Sequence, residues 1–416
     1  MGKEANKSKS DSQFPFLATI MLHHLRSLIP LLSLASTVPV QSARKANTDA
    51  LPSPSKSPSK SPSKSPSHSP CSYIMFLGTG SSTGCPKALC LYSEADNPPR
   101  RPKECNISKL AAMGDPRMSK NYRNNPSLLI SHEPSDTVTV IDAGKTFRES
   151  LMRWLPTLSP RIAGIDAIIL THEHMDAYGG MDDIRGAQRL HISGNGLRPV
   201  SVFLNDKTRD VVSKAFPYLM PNFSVVGGEK RMVASLNFER IEAFQPFFIG
   251  EGEGERKGER KGERKGERKG ERKEKKYKKF KIEPIPVVHG EDCECNGFCF
   301  GEKEGIVYLS DISRMPTKTL EYIKSWKERK ARSDSKFSLL VLDCLFFQGE
   351  HNTHFCLDDC VKLVRELKPE RVLLVGMSCD SVPEHSEANK ILRKLFEDDG
   401  IDCQLAYDGQ KIHFDL

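Results

Sequence analysis

The sequence predicts an α+β domain in which two β-sheets pack face to face with helices outside. Three observations carry this. Strand-like and helix-like segments mix along the chain instead of alternating strictly. One strand, "IDAIIL", is an apolar run of the kind buried inside a domain. Several strands end in polar residues, which places function on strand-end loops.

The elements follow in order. "YIMFLGTGSS" (73–82) is a strand running into a Gly-rich turn. "PSLLIS" and "TVTVIDAG" (126–131 and 137–144) form a strand pair. "TFRESLMRWL" has helical spacing, with Phe147, Leu151, Trp154 and Leu155 on one face. "IDAIIL" is a buried strand that delivers the segment "THEHMDAYGGMDDIRG" (171–186). "FERIEAFQPFFI" and "KFKIEPIPVVHG" alternate like strands on either side of a basic tract. "CECNGFC" reads as a turn between strands, although Cys293, Cys295 and Cys299 have a spacing that can also clamp zinc. "GIVYLSD", "SLLVLDC", the helix "LDDCVKLVREL", the strand "RVLLVGM" and a closing pair, "CQLAYDG" with "KIHFDL", complete the domain.

Two low-complexity tracts sit outside this pattern. Residues 53–70 repeat Ser-Pro-Ser-Lys and read as an extended linker that ends an N-terminal segment, 1–70. Five copies of GERK at 254–273, within a basic insert spanning 250–281, read as an expanded loop inside the folding unit, 71–416. These tracts hold the basic charge. Residues 1–70 carry +6 and 255–281 carry +9, so removing both from the chain's +8 leaves −7. The folding part is acidic, which argues against a nucleic-acid-binding face. Twelve cysteines spread through 416 residues do not resemble a disulfide-stapled secreted domain, so a reducing compartment is expected. No acidic residue occurs between Ser12 and Thr48, which suits an organellar transit peptide; "LIPLLSLASTVPV" before "VQSA" also fits a signal peptide. At 13 residues that run is too short to span a bilayer. A cytoplasmic or organellar protein with no membrane span is expected.

Chemistry concentrates in the 171–186 segment. His172 and His174 lie two apart just after a strand, so both rings can converge on one ion, and Asp176 adds a carboxylate on the same turn. Imidazole and carboxylate suit zinc, manganese or iron. His289 and Asp311 end later strands and are natural partners for them.

The order "FLGTGSS", "IDAGKTF", "THEHMDAYGG", "PVVHG", "YLSDIS", "THFCLDDCVKLVRELKPERVLLVGMS", "AYDG" resembles the metallo-β-lactamase superfamily. Within it the likeness is to the branch of phosphoribosyl cyclic phosphodiesterases. The resemblance implies an αββα four-layer sandwich with a one- or two-metal site at the sheet edges. It implies that His172, His174 and His289 form a first metal site, that Asp311 bridges to a second, and that Asp176 belongs to the second and to catalysis. His354 matches a histidine near the scissile phosphate. The implied activity is hydrolysis of a small, cyclic or open, phosphodiester through a metal-activated hydroxide. The alternatives are a tRNA 3′-processing-type nuclease and a catalytically degenerate binding protein of the same fold. Lys145 in "DAGKTF" is a weaker candidate for holding phosphate.

Two positions depart from the family pattern. Ala177 stands where the motif has a further histidine, and Gly376 where a histidine follows the late strand. The expectation is one tight divalent ion, zinc or manganese, and at most a second weak one. Asp182 or Asp183 is a candidate to complete that second site; capping of a helix start is their alternative role. The family also holds a structural zinc on several cysteines and a late histidine. Here Cys85, Cys90 and Cys105 fall in that region, Cys379 takes the late place, and Pro102 replaces one expected thiol. Cys105 and Cys379 are the candidates for that ion, with buried free thiols as the alternative.

Overall fold

The computed structural model describes residues 72–91, 105–158, 164–190, 196–221, 233–250, 278–333 and 335–416. The Ser-Pro repeat, the N-terminal targeting reading and the GERK tract lie outside these residues.

The elements in chain order are β1 (Ser72–Gly78), α1 (Asn106–Ala112), β2 (Ser127–His132), β3 (Thr137–Ile141), α2 (Phe147–Trp154), β4 (Ala167–Ile169), α3 (Met175–Tyr178), β5 (Val200–Leu204), α4 (Asp206–Ala215), β6 (Leu236–Arg240) and β7 (Phe247–Ile249). They continue with β8 (Phe280–Val288), β9 (Glu294–Phe300), β10 (Glu304–Leu309), α5 (Thr317–Arg332), β11 (Lys336–Asp343), α6 (Leu357–Leu367), β12 (Arg371–Val375), α7 (His385–Leu395), β13 (Asp402–Leu405) and β14 (Lys411–Phe414).

Two seven-stranded sheets form, β14-β1-β2-β3-β4-β5-β6 and β13-β12-β11-β10-β9-β8-β7. Each is antiparallel through its first strands in chain order and parallel from β3 to β6 or from β10 to β13. Alternation along the strands explains the layering. Ile74 and Phe76 of β1 face a central core shared with Phe298, Phe300, Leu339 and Val341 of the other sheet. Tyr73, Met75 and Leu77 face outward to Phe147, Leu151 and Trp154 of α2. On the second sheet Leu340 and Leu342 face Trp326 of α5, Leu363 and Val364 of α6 and Leu392 of α7. Both faces of each sheet are thus buried, which is why the strands read as continuous apolar runs. The result is the αββα sandwich.

Two local expectations are corrected. "CECNGFC" is strand β9, not a turn, because it pairs with both β8 and β10; Cys295 and Cys299 enter the core behind the sheet. "CQLAYDG" and "KIHFDL" do not pair with each other: β13 runs parallel beside β12, and β14 antiparallel beside β1. The Tyr407–Gln410 turn carries the chain from one sheet to the other.

The parallel strands end on one side of the sandwich. The loops after β3, β4, β10 and β12 deliver Asp142, His172, Asp311 and Gly376, and Asp343 is the last residue of β11. Among the described residues no helix is long and apolar enough to cross a membrane.

Candidate metal centre

β4 is buried end to end and stops at Ile169, so the chain turns while still inside the sandwich. Thr171 and His172 follow, both inaccessible to solvent. His174 precedes the single turn of α3. From the opposite sheet, β8 delivers His289, and Gly290 turns the chain away. The ligand atoms of His172, His174 and His289 lie within 4.8 Å of one another. Their ring centroids are 4.6–5.1 Å apart.

Hydrogen bonds fix which nitrogens face inward. The Thr171 hydroxyl donates its single proton to Asp142 Oδ2 at 2.8 Å, so toward His172 Nδ1, also at 2.8 Å, it can only accept. Nδ1 of His172 therefore carries the ring proton, and Nε2 presents a lone pair. His289 Nδ1–H donates to the Thr353 carbonyl at 2.6 Å, with the same consequence. Burial holds the His172 ring neutral, pushing its pKa down to about 4. Its Nε2 is buried with no hydrogen-bond partner among the described residues. Such an orphan costs about 1–3 kcal/mol. Three converging imidazoles, two of them (His172 and His289) oriented from behind by a hydrogen bond, fit a divalent transition metal.

Carboxylates and a fourth histidine complete the site. Asp176 Oδ1 lies 3.9 Å from His172 Nε2. Asp311, buried at the end of β10, groups with His289 and His354 within 4.8 Å. Burial works against its ionised form, but His172, His289 and His354 outweigh it and bring its pKa down. Burial raises Asp176, and the neighbouring Asp311 charge adds to this. His354 Nδ1 is 2.8 Å from Asp343 Oδ2 and 4.0 Å from Asp311 Oδ1. Burial opposes its charge, yet Asp343 and Asp311 hold it up at about 9. Asp343 is the residue that sequence reasoning missed. Fully buried, it is pushed up to about 6. Its signal in the sequence was a lone acid closing an otherwise apolar strand.

Gly376 adopts φ +77°, and a Cβ there would stand 2.1 Å from Asp343 Oδ1. The carboxylate thus fills the space a side chain at 376 would need. Ala177 is buried in the motif and makes backbone contacts alone: its carbonyl accepts from Ala143 N–H at 2.7 Å, and its N–H donates to the His174 carbonyl at 3.0 Å.

Other candidates go elsewhere. Asp182 and Asp183 open a 3₁₀ helix, Met181–Ala187. Asp183 lies 3.7 Å from Arg148, and both acids line a separate hollow of about 500 Å³ with Leu151 and Met152. They line that hollow, and neither belongs to the His/Asp groups that converge among the described residues. Lys145 donates to the Ser82 carbonyl at 2.7 Å. Cys105 and Cys379 do converge, with Cys90 as a third thiol, all within 4.8 Å. A hydrogen bond from Cys85 outweighs burial and, with Ser108, takes Cys379 down to about 5. Cys293, Cys295 and Cys299 form no such group among the described residues.

A family model for the beta-lactamase superfamily domain matches residues 137–377. A curated octanoyltransferase of Porphyromonas gingivalis (strain ATCC BAA-308 / W83) is 22% identical over 318 residues, 76% of this chain and 48% of the relative. The chain therefore spans about half the length of the curated relative it matches. Among solved structures, a diphosphatase of the PhnP family is 24% identical with a TM-score of 0.55, covering 82% of this chain and 97% of that one. A metallo-beta-lactamase fold protein of Bacillus subtilis is 12% identical with a TM-score of 0.48, covering 83% and 100%. With the sandwich and the histidine cluster at its strand ends, the matched region shows that this chain belongs to the beta-lactamase superfamily and has the metallo-β-lactamase fold.

Proposed function

We propose that the protein is a metal-dependent hydrolase acting on a small phosphodiester, cyclic or open. The observation that carries this reading is the buried, unpartnered Nε2 of His172 in a cluster with His174 and His289, beside the His354–Asp343 pair. His172, His174 and His289 would hold a zinc or manganese ion. When bound, such an ion supplies Lewis acidity, lowering the pKa of water and offsetting phosphoryl charge.

The chain's own residues do the rest. Thr171 and Thr353 hold the tautomers of His172 and His289, so these two imidazoles need not reorient. Asp311 and Asp176 add negative charge on the far side of the cluster, which draws a cation in. His354, kept protonated by Asp343, has one further N–H, which either hydrogen-bonds a phosphoryl oxygen or gives its proton to the leaving oxygen. General-acid help of this kind contributes about a hundredfold or more. Ala177 and Gly376 offer no ligand atoms, which supports one tight ion at the histidines and at most a weak second on the carboxylates. The acidic folding part favours a small substrate over a long nucleic acid. At the second cluster, Cys105 and Cys379 with Cys90 would hold a structural zinc, the low pKa of Cys379 supplying a thiolate.

The same two departures favour a second reading, a metal-binding protein that has lost catalysis. Elemental analysis together with hydrolysis of bis-p-nitrophenyl phosphate by purified protein separates them. Metal with turnover supports the hydrolase. Metal at full occupancy with no turnover, on cyclic and open diesters alike, overturns it.

A further inference from the structure

The geometry points to His351 as a substrate-binding residue, a neutral imidazole that donates Nε2–H to an anionic oxygen of the substrate beside His354. This assignment rests on the phosphodiesterase reading for the identity of the substrate, but not for the existence of the donor.

His351 is solvent-exposed, yet its ring is held. The backbone N–H of Thr353 points at His351 Nδ1 at 3.3 Å, and the Thr353 hydroxyl lies 3.1 Å from the same nitrogen. A backbone amide can only donate, so Nδ1 must accept and the ring proton resides on Nε2. The Phe346 ring packs against His351 nearly edge-on, at 5.6 Å and 83°. An exposed side chain loses rotamer freedom when fixed in this way, and gains no burial in return. His351 Nε2 has no partner among the described residues, so the ring is oriented for something the fold itself does not supply.

Its position says what that is. The His351 and His354 rings are 5.4 Å apart, and His354 is 4.7 Å from His289. One residue, Thr353, ties the rim to the centre: its N–H orients His351 while its carbonyl orients His289. An oriented N–H donor at the mouth of a cation site suits an anionic oxygen, here a phosphoryl oxygen or an oxygen on the group beyond it. Its reach from the centre, two rings out, fits a contact that binds the substrate and leaves the reacting bond to His354.

The test uses the full chain loaded with zinc and inorganic phosphate as the probe. Calorimetry should show His351→Ala weakening phosphate binding about tenfold, near the value of one hydrogen bond to a charged group. Bound metal should stay at the wild-type level. Gln places an N–H donor near the Nε2 position, so His351→Gln should recover most of the loss. With bis-p-nitrophenyl phosphate, KM should rise in the Ala variant while kcat stays within about threefold, as for an interaction made equally in ground and transition states. An unchanged phosphate affinity in His351→Ala overturns the assignment, as does equal weakening by Ala and Gln. Lost metal in either variant also overturns it, because His351 would then be acting through Thr353 on His289. If wild-type protein binds phosphate but turns over no diester, the hydrolase reading fails and the donor assignment stands on the binding data. If zinc-loaded wild type binds no phosphate, both fail.

Discussion

Replacing Gly376 by alanine should disable the site without removing its metal. Two costs can be worked from the structure. At φ +77° an L-residue pays about 1–2 kcal/mol for the left-handed backbone. The new Cβ would also stand 2.1 Å from Asp343 Oδ1, so the carboxylate must move, and it is fully buried with nowhere to be solvated. Moving it breaks the 2.8 Å bond to His354, a charge-assisted contact worth about 1.5–3 kcal/mol. Together these cost about 3–5 kcal/mol, and at roughly 2 °C per kcal/mol Tm should fall by about 6–10 °C. His354 loses its orienting partner, so kcat should drop about a hundredfold. Thr171 and Thr353 still hold His172 and His289, so bound metal should not change. The assay is thermal unfolding, elemental analysis and kcat for Gly376→Ala, repeated in an Asp343→Ala background. There the clash is gone, and the same substitution should cost only its backbone term. A Gly376→Ala protein with wild-type Tm and activity would refute the packing of Asp343 against this glycine. By the same geometry, a histidine at 376 would have to displace Asp343 before it could reach an ion.

Two further outcomes follow from the side chains around the centre and the far network. His354→Ala should lower kcat about a hundredfold while leaving bound metal intact, since its Nδ1 is spent on Asp343; elemental analysis decides, and loss of the ion would make His354 a ligand. His385 is buried with Arg123 Nη2 3.3 Å from its Nδ1; burial, then the Arg123 and Lys120 charges, push it down to about 3. A depressed pKa means that its contribution is present above the unfolded value near 6.5 and is lost as pH falls toward 3. Between pH 6.5 and 5 metal-free protein should lose about 1.6 kcal/mol through this group. His385→Asn should flatten that part of the Tm–pH curve, and an unaltered slope would show that the ring is not held neutral.

The sequence made the sandwich and most of the histidine cluster legible because these features are periodic or local. Burial on both faces wrote β1 to β4 and β10 to β12 as largely apolar runs. His172, His174 and Asp176 sit within one turn, where spacing alone argues convergence. The features that stayed hidden depend on which sheet a strand joins. β13 and β14 are adjacent in the chain, and only packing sends them to opposite sheets. β9 looked like a turn because its cysteines and Gly297 have weak strand character, yet it lies between two strands that saturate its hydrogen bonds. Asp343 was visible as a polar strand end, but its partnership with His354 and its contact with the space at Gly376 arise from three separate segments. Asp182 and Asp183 show the converse: closeness in sequence to the motif does not bring them into the converging His/Asp groups.

In the proposed reading His172, His174 and His289 hold one catalytic ion. The decisive quantity is the difference in bound zinc between wild type and the double variant His172→Ala/His289→Ala, titrated from apo-protein with calorimetry and elemental analysis. Taking the difference removes any zinc held by the thiol cluster at Cys90, Cys105 and Cys379. The account predicts a loss of one tight ion per chain, with bis-p-nitrophenyl phosphate hydrolysis abolished and the fold retained by circular dichroism. An unchanged zinc stoichiometry, or a loss of two equally tight ions, would contradict it.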